Sequence, residues 1–497
     1  MRLKYFNFTL LFACSIFMFS ACTDLAVEEV DSIISENEHG TFSGDPTELL
    51  SSAYKDLSTF INQDGVYSLF QHTSDEMIPP TRGTDWGDNG IWRTLHQHTW
   101  DATHAYVLSS WNILNERAFK CNQILASNPS ASEKAQAKFL RAFYTYQILD
   151  LYGKVPFRGV NEGVDVDPVV KTRAEALTDV IKDLNDAIPD LPSDVTNSTT
   201  ATKGAAYALL ARLYLNKPVY TASNPAGPYT FDAADMNKVI EYADLVTAEG
   251  YGLDTDYFNT FASSPANNPI IFASAEGTPQ NRWYMTLHYD QNPSGWNGFT
   301  TLAEFYNSFE AGDARLGEAA TPDGSGFSGI GTGFLKGEQK NDDGDVIANS
   351  RQGGIPLAFT EAIKLSGAQT DEGIRVIKYH PADAGNYIFL RYADVWLMKA
   401  EAIMRGGSSS DDALSMVNTL RTARGASTLT ALDEAAMLSE RGRELYWEGN
   451  RRTDQVRFGQ FSSTWGEKTN TDSYRVLFPI PQQAMDSNPN LTQNEGY

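Results

Sequence analysis

The sequence predicts a mainly α-helical fold, built of tetratricopeptide-like helix pairs and interrupted by one irregular insertion of loops and short strands. Three observations carry this. Apolar residues recur at helical spacing through residues 45–250 and 386–497. Helix start and stop signals bound those stretches. Residues 251–385 instead carry Gly, Pro, Asn and Ser around brief apolar runs. Of the 497 residues 12 % are aromatic and 21 % charged, so the chain can bury a large core and is not disordered overall. A net charge of −24 argues against nucleic-acid backbone as a partner, because phosphate binding needs clustered Lys and Arg.

Taken in order, Arg2 and Lys4 precede an almost wholly apolar run from Phe8 to Phe19, followed by Ser20-Ala21-Cys22. The run is about half the ~20 residues that span a bilayer, so residues 1–21 read as a secretion signal. Small residues before a Cys resemble the bacterial lipoprotein-processing pattern, with lipid on Cys22 as the membrane anchor; Phe19 stands where that pattern usually has Leu. Residues 22–44 then form a lipidated tether. Its acids Asp24, Glu28 and Glu29 resemble the surface-export tail of lipoproteins in the Bacteroidetes. Residues 45–497 are expected to be a single domain. Once Cys14 is removed and Cys22 acylated, Cys121 stands alone, so no internal disulfide forms and its thiol is expected to be buried.

Asp45-Pro46-Thr47-Glu48 combines an N-cap, a first-turn Pro and an N3 acid, and Leu49, Ala53, Leu57 and Phe60 give the following apolar stripe. Helices are then expected over 111–127, 132–152, 172–188, 202–216 (closed by Lys217-Pro218) and 235–248. Within the 251–385 insertion, 270–273 and 283–289 read as short strands. Helices resume at 388–404, 410–424 and 433–448.

Two loops stand out. Trp86, Trp92 and Trp100 fall within fifteen residues, among Gly83, Gly87, Gly90 and a run of Asp, Asn and Thr. Such flanks are turn chemistry, and an indole on an irregular segment needs either core or ligand to cover it. A sugar presents a C–H face that packs on an aromatic plane, with hydroxyls at its edge for polar side chains. Trp86 and Trp92, beside Arg82, Asp85, Asp88 and Asn89, fit that mixture. So do Trp283 and Tyr284, and Trp296 with Asn297 in QNPSGWNGF. The candidate glycan-binding set is therefore Trp86, Trp283, Trp296, Trp92, Asp85, Asn89, Arg82, Tyr284 and Asn297. Trp100, Trp111, Trp396 and Trp447 are expected in the core. His96 and His98 lack a third ligand, Gly324–Gly329 matches a dinucleotide fingerprint in letters only, and the acids at 342–345 lack EF-hand spacing. No metal, cofactor or catalytic residue is expected.

Six stretches together resemble the SusD/RagB family of surface nutrient-binding lipoproteins: FLRAFYTYQILDLYGKVP (139–156), TKGAAYALLARLYL (202–215), LRYADVWLMKAEAIMR (390–405), VNTLRTARG (417–425), SERGRELYWEGNRRTDQVRFGQF (439–461) and LFPIPQQAMDSNPNLTQNEGY (477–497). Gln455 stands where the family has Leu, and Glu495 where it has Pro. The resemblance implies a SusD-like fold, capture of oligosaccharide or polysaccharide at the outer-membrane surface, and a SusC-like TonB-dependent transporter as partner. The charged set from Glu440 to Asp454 reads as an ion-pair network rather than a site. The DWGDNGIWRTLHQHTW segment resembles loops of members devoted to laminarin-type β-glucan. Capture of peptides is the rival on the same fold. A secreted glycosidase, needing two carboxylates at a set separation, is the rival of another class.

Overall fold

The structure, a computed structural model, describes residues 35–36, 42–276 and 279–497. The signal segment, Cys22 and most of the tether lie outside them. The chain is mainly helical, with 44 % helix and 11 % strand. Helix α1 (Pro46–Lys55) starts where its signals place it: the Asp45 carboxylate accepts the N–H groups of Thr47 and Glu48. Short helices α2 (Val66–Gln71) and α3 (Ile91–His96) lead to the long scaffold helices α4 (Ala105–Ala126), α5 (Ala131–Tyr152), α6 (Arg173–Ala187), α7 (Lys203–Thr221) and α8 (Ala233–Glu249). Capping boxes, Ser130 with Glu133 and Thr172 with Glu175, open α5 and α6. Each of these five helices packs on the next in sequence, the stacking expected of tetratricopeptide-like pairs.

Two boundaries differ from expectation for tertiary reasons. Helix α7 runs through Pro218 to Thr221, because Pro218, Val219 and Tyr220 are buried and the Tyr220 hydroxyl donates to Asp150 at 2.9 Å. That anchorage outweighs the backbone bond a proline cannot make. Residues 387–391 form a strand instead of the first turn of a helix. In the strand order, β1 (Lys154–Phe157) pairs with β2 (Val169–Thr172), β3 (Ile270–Ser274) with β6 (Tyr387–Arg391), and β4 (Gly333–Leu335) with β5 (Arg375–Ile377), all antiparallel. The β3–β6 pair clasps the base of the insertion, so its outgoing and returning chains share one ladder. Within the insertion lie two four-residue helices, α9 (Asn281–Tyr284) and α10 (Ala303–Tyr306). The expected strand at 283–289 is therefore the end of α9 and the loop after it.

Helices α11 (Tyr392–Met404), α12 (Ala413–Ala423), α13 (Glu434–Leu445), α14 (Arg451–Arg457) and the short α15 (Gln482–Ser487) follow, with α11 packed on α8 and α12. The charged motif residues are not a solvated helix face: Glu440 and Glu444 are fully buried. Glu444 meets Arg391, Arg424 and, from the insertion, Arg315. Burial pushes the Glu444 carboxyl up, but Arg424, Arg391 and Arg315 outweigh it and hold it well below the usual range. The network thus rivets the insertion to the scaffold. Cys121 is buried, and burial raises its thiol to about 12. Trp100, Trp111 and Trp447 are core, and Trp396 packs against it with its indole N–H on the Met416 carbonyl.

Candidate functional site

The Trp86 loop and the Trp283–Trp296 segment meet. A tight turn brings Arg82 and Asp85 into mutual backbone hydrogen bonds of 3.0 and 2.9 Å. The next residue, Trp86, takes φ 62°, a left-handed conformation rare for a bulky side chain. Its indole N–H donates to the Trp296 carbonyl at 2.8 Å. The ring lies over Gly298, where a Cβ would come within 2.5 Å of Trp86 ring atoms, so this close approach requires glycine. Behind it Trp86 makes an edge contact with Trp92 (centroids 5.7 Å) and packs on Phe299 (5.0 Å). Trp92 also touches His72, Tyr106 and Phe299. The two walls therefore share one aromatic base.

Trp296 is the exposed member, 49 % accessible at the tip of its loop. Its backbone N–H donates to the Tyr284 carbonyl at 2.6 Å, and its ring lies within 18° of parallel to that of Tyr284, centroids 6.4 Å apart. Asp85 is half-buried at the edge, accepting the Tyr289 hydroxyl at 2.6 Å and Arg351 at 2.6 Å. The Tyr289 hydrogen bond is the main reason its carboxyl titrates below the usual range; Arg351 adds to it against the opposing effect of burial. Asn89 is exposed on the turn before α3, at φ 55°.

Four of the nine candidate residues face inward, which corrects the expectation that they meet a ligand directly. Trp92 (3 % exposed) donates its indole N–H to Asp88 at 2.7 Å and belongs to the buried stripe of α3 with Leu95 and His96. Trp283 (5 % exposed) sits in α9 beside the buried Arg282, whose guanidinium covers the Tyr67 ring at 3.5 Å. Arg82 is buried and donates to the carbonyls of Asn297, Gln369 and Glu372. Asn297 is fully buried, bonded to the Thr370 carbonyl and to Arg375. These side chains position the loops. Trp86, Trp296, Tyr284, Asp85 and Asn89 are the ones left with solvent access.

Tyr289 and Arg351 were missed. Tyr289 lay in a segment read as strand, and Arg351 lies far along the insertion with no aromatic neighbour in sequence to mark it. His96, at the end of α3, and His98, on the turn that follows, are both buried: His96 contacts the Met77 and Gly466 carbonyls, and His98 the Thr73 carbonyl. Burial drives His96 down to about 4, so its ring is neutral. Among the described residues no group of three or more His, Cys, Asp or Glu is arranged to hold a metal ion.

A cavity of about 630 Å³ lies elsewhere, between α4, α5, α6 and the β1–β2 hairpin. Two of its aromatic rings already carry cations: Lys171 stands 3.5 Å from the Phe157 centroid and Arg158 5.9 Å from that of Phe119. It presents no exposed indole, and the tryptophan surface is the better match to a sugar ring.

A family model described as "SusD family" matches residues 378–475, and one described as "Starch-binding associating with outer membrane" matches residues 37–215. The chain belongs to the SusD/RagB family. The starch-binding protein SusD of Bacteroides thetaiotaomicron is 28 % identical over 423 residues, 73 % of each chain. Two solved structures share the fold. A SusD superfamily protein from Parabacteroides distasonis has a TM-score of 0.69 at 22 % identity, covering 91 % of this chain and 98 % of its own. Surface glycan-binding protein A from Bacteroides thetaiotaomicron, in complex with laminarihexaose, has a TM-score of 0.66 at 19 % identity, covering 90 % and 98 %. The SusD-family fold thus extends over both the scaffold and the insertion that carries the second wall.

Proposed function

We propose that this SusD-family chain is a non-catalytic glycan-binding lipoprotein of the outer-membrane surface. It captures an oligosaccharide on the Trp296–Tyr284–Trp86 surface, with Asp85 and Asn89 at the polar edge. The observation that carries the reading is the near-parallel Trp296 and Tyr284 ring pair, open to solvent and fixed by backbone bonds over a rigid aromatic base. Two ring planes held this way lose little freedom when a sugar packs on them, and each aromatic contact adds about 0.5–1.5 kcal/mol beyond buried area. A laminarin-type β-glucan is the ligand proposed, supported by the loop resemblance and by the laminarihexaose complex of the related glycan-binding protein. Lipid on Cys22 holds the protein at the surface, and a SusC-like TonB-dependent transporter receives the glycan. Anchoring raises effective concentration, so weak single-site affinity suffices.

Isothermal titration of the purified chain against laminarin, mixed-linkage glucan, xylan, starch and mannan tests the reading. Binding to a β-glucan, lost at least tenfold in Trp296→Ala, is expected. Binding to starch or mannan alone would replace the proposed ligand, and release of reducing sugar would replace the non-catalytic role.

A further inference from the structure

Arg351 brings an exposed guanidinium to the polar edge of the proposed surface, and Asp85 already neutralises it. Arg351 lies on the short turn Ser350–Gln352, which is pinned by Ser350 to the Asp290 carboxylate and capped by Asn349. Its guanidinium rests over the Tyr289 ring at 3.6 Å and donates through one nitrogen to Asp85 Oδ2 at 2.6 Å. The same carboxylate oxygen accepts the Tyr289 hydroxyl. Both partners reach solvent, with side-chain exposures of 50 % for Arg351 and 34 % for Asp85. Of five guanidinium N–H donors only one is spent here, and Asp85 Oδ1 makes no hydrogen bond among the described residues.

The edge therefore offers unspent donors beside an unspent acceptor, with no net charge between them. A hydroxyl both donates and accepts, so neighbouring sugar hydroxyls can satisfy both groups. A carboxylate or sulfate only accepts: it could use the guanidinium, but it would face the Asp85 oxygens and a chain of net charge −24. We propose that the Arg351–Asp85 pair sets charge specificity, admitting uncharged glycans and rejecting uronic-acid and sulfated ones. This rests on the glycan-binding reading of the same surface and adds the class of sugar. Asp85 is the discriminating element, because it consumes the positive charge that would otherwise attract an anion.

The test is a set of matched probes: laminarin, starch and mannan, each titrated beside its C6-carboxylated counterpart, so that backbone is constant and only charge changes. For whichever backbone binds, the neutral form is expected to bind at least tenfold more tightly at low salt, with the gap narrowing as salt rises. Asp85→Asn frees the guanidinium, and is expected to bring the carboxylated form to parity or better. Arg351→Gln weakens the neutral form, and Arg351→Lys does not restore it, since an ammonium lacks the planar fork. Equal binding of both forms by the unmodified chain, or a preference ratio unchanged in Asp85→Asn, overturns the charge inference while leaving glycan binding intact. Failure of every probe, neutral and carboxylated, overturns the glycan reading and this inference with it.

Discussion

Glycine 298 shows how closely the two walls depend on one another. Any side chain there would start 2.5 Å from the Trp86 ring, and a second contact, the Met285 carbonyl at 3.0 Å, blocks the other direction. Gly298→Ala should push the indole off its seat and break the Trp86–Trp296 hydrogen bond. Overpacking of this kind costs about 1–3 kcal/mol. The expected outcome is a modest fall in melting temperature and a loss of glycan affinity comparable to Trp296→Ala, although residue 298 itself is buried. Calorimetry and titration on the one variant check both. At this scale the sequence was half legible. Gly, Asp and Asn flanks marked Trp86 and Trp296 as residues of irregular backbone, as they are, but the same flanks surround Trp92, which faces inward. Turn chemistry reports backbone freedom, not the direction of a ring. Trp92, Leu95 and His96 recur at i, i+3 and i+4, and that spacing carried the direction.

Elements were most legible where local chemistry decides them. Asp45, Ser130 and Thr172 cap their helices as the sequence requires. Ser130→Ala removes the side-chain half of the capping box, and a loss of about 1 kcal/mol in denaturant unfolding is expected; no change would mean that helix packing alone sets where α5 begins. Elements failed where a distant partner decides. Residues 387–391 extend because Ile270–Ser274 lies opposite them, more than a hundred residues earlier in the chain. Helix α7 passes Pro218 because Tyr220 finds Asp150. Neither partner can be inferred from the local pattern.

Across the whole molecule, charge does two jobs. The surface is acidic, and the interior holds paired ions that tie scaffold to insertion. Burial pushes the Glu401 carboxyl up, but Arg457, Arg405 and Arg441 outweigh it and lower it from 4.5 to about 2. Arg212 and Arg441 likewise hold Asp394 down against burial, as three arginines hold Glu444. A depressed carboxyl contributes stability that is complete above its unfolded value and disappears as pH falls toward its folded one. Each fully depressed carboxylate is worth on the order of 2–3 kcal/mol at neutral pH. Glu76 acts in the opposite sense: burial raises it to about 8, so its contribution is lost as pH rises above its unfolded value. The depressed groups outnumber it, and thermal unfolding should show stability falling steeply between about pH 4.5 and pH 2. A melting temperature flat across that range would contradict the ion-pair account. Stacked helix pairs and the inserted loops were legible in the sequence as a pattern. The riveting of one to the other was not, because Arg315 and Glu444 are joined only in space.

In the proposed glycan site, Trp296 and Tyr284 form the floor, and Asp85 and Arg351 the edge. A crystal structure of the chain with a bound β-glucan oligosaccharide tests it most directly. Sugar rings are expected to pack on the Trp296 and Tyr284 planes, with hydroxyls at Asp85 and Arg351. Oligosaccharide lodged instead in the cavity between α4, α5, α6 and the β1–β2 hairpin, with Trp296 bare, would contradict it.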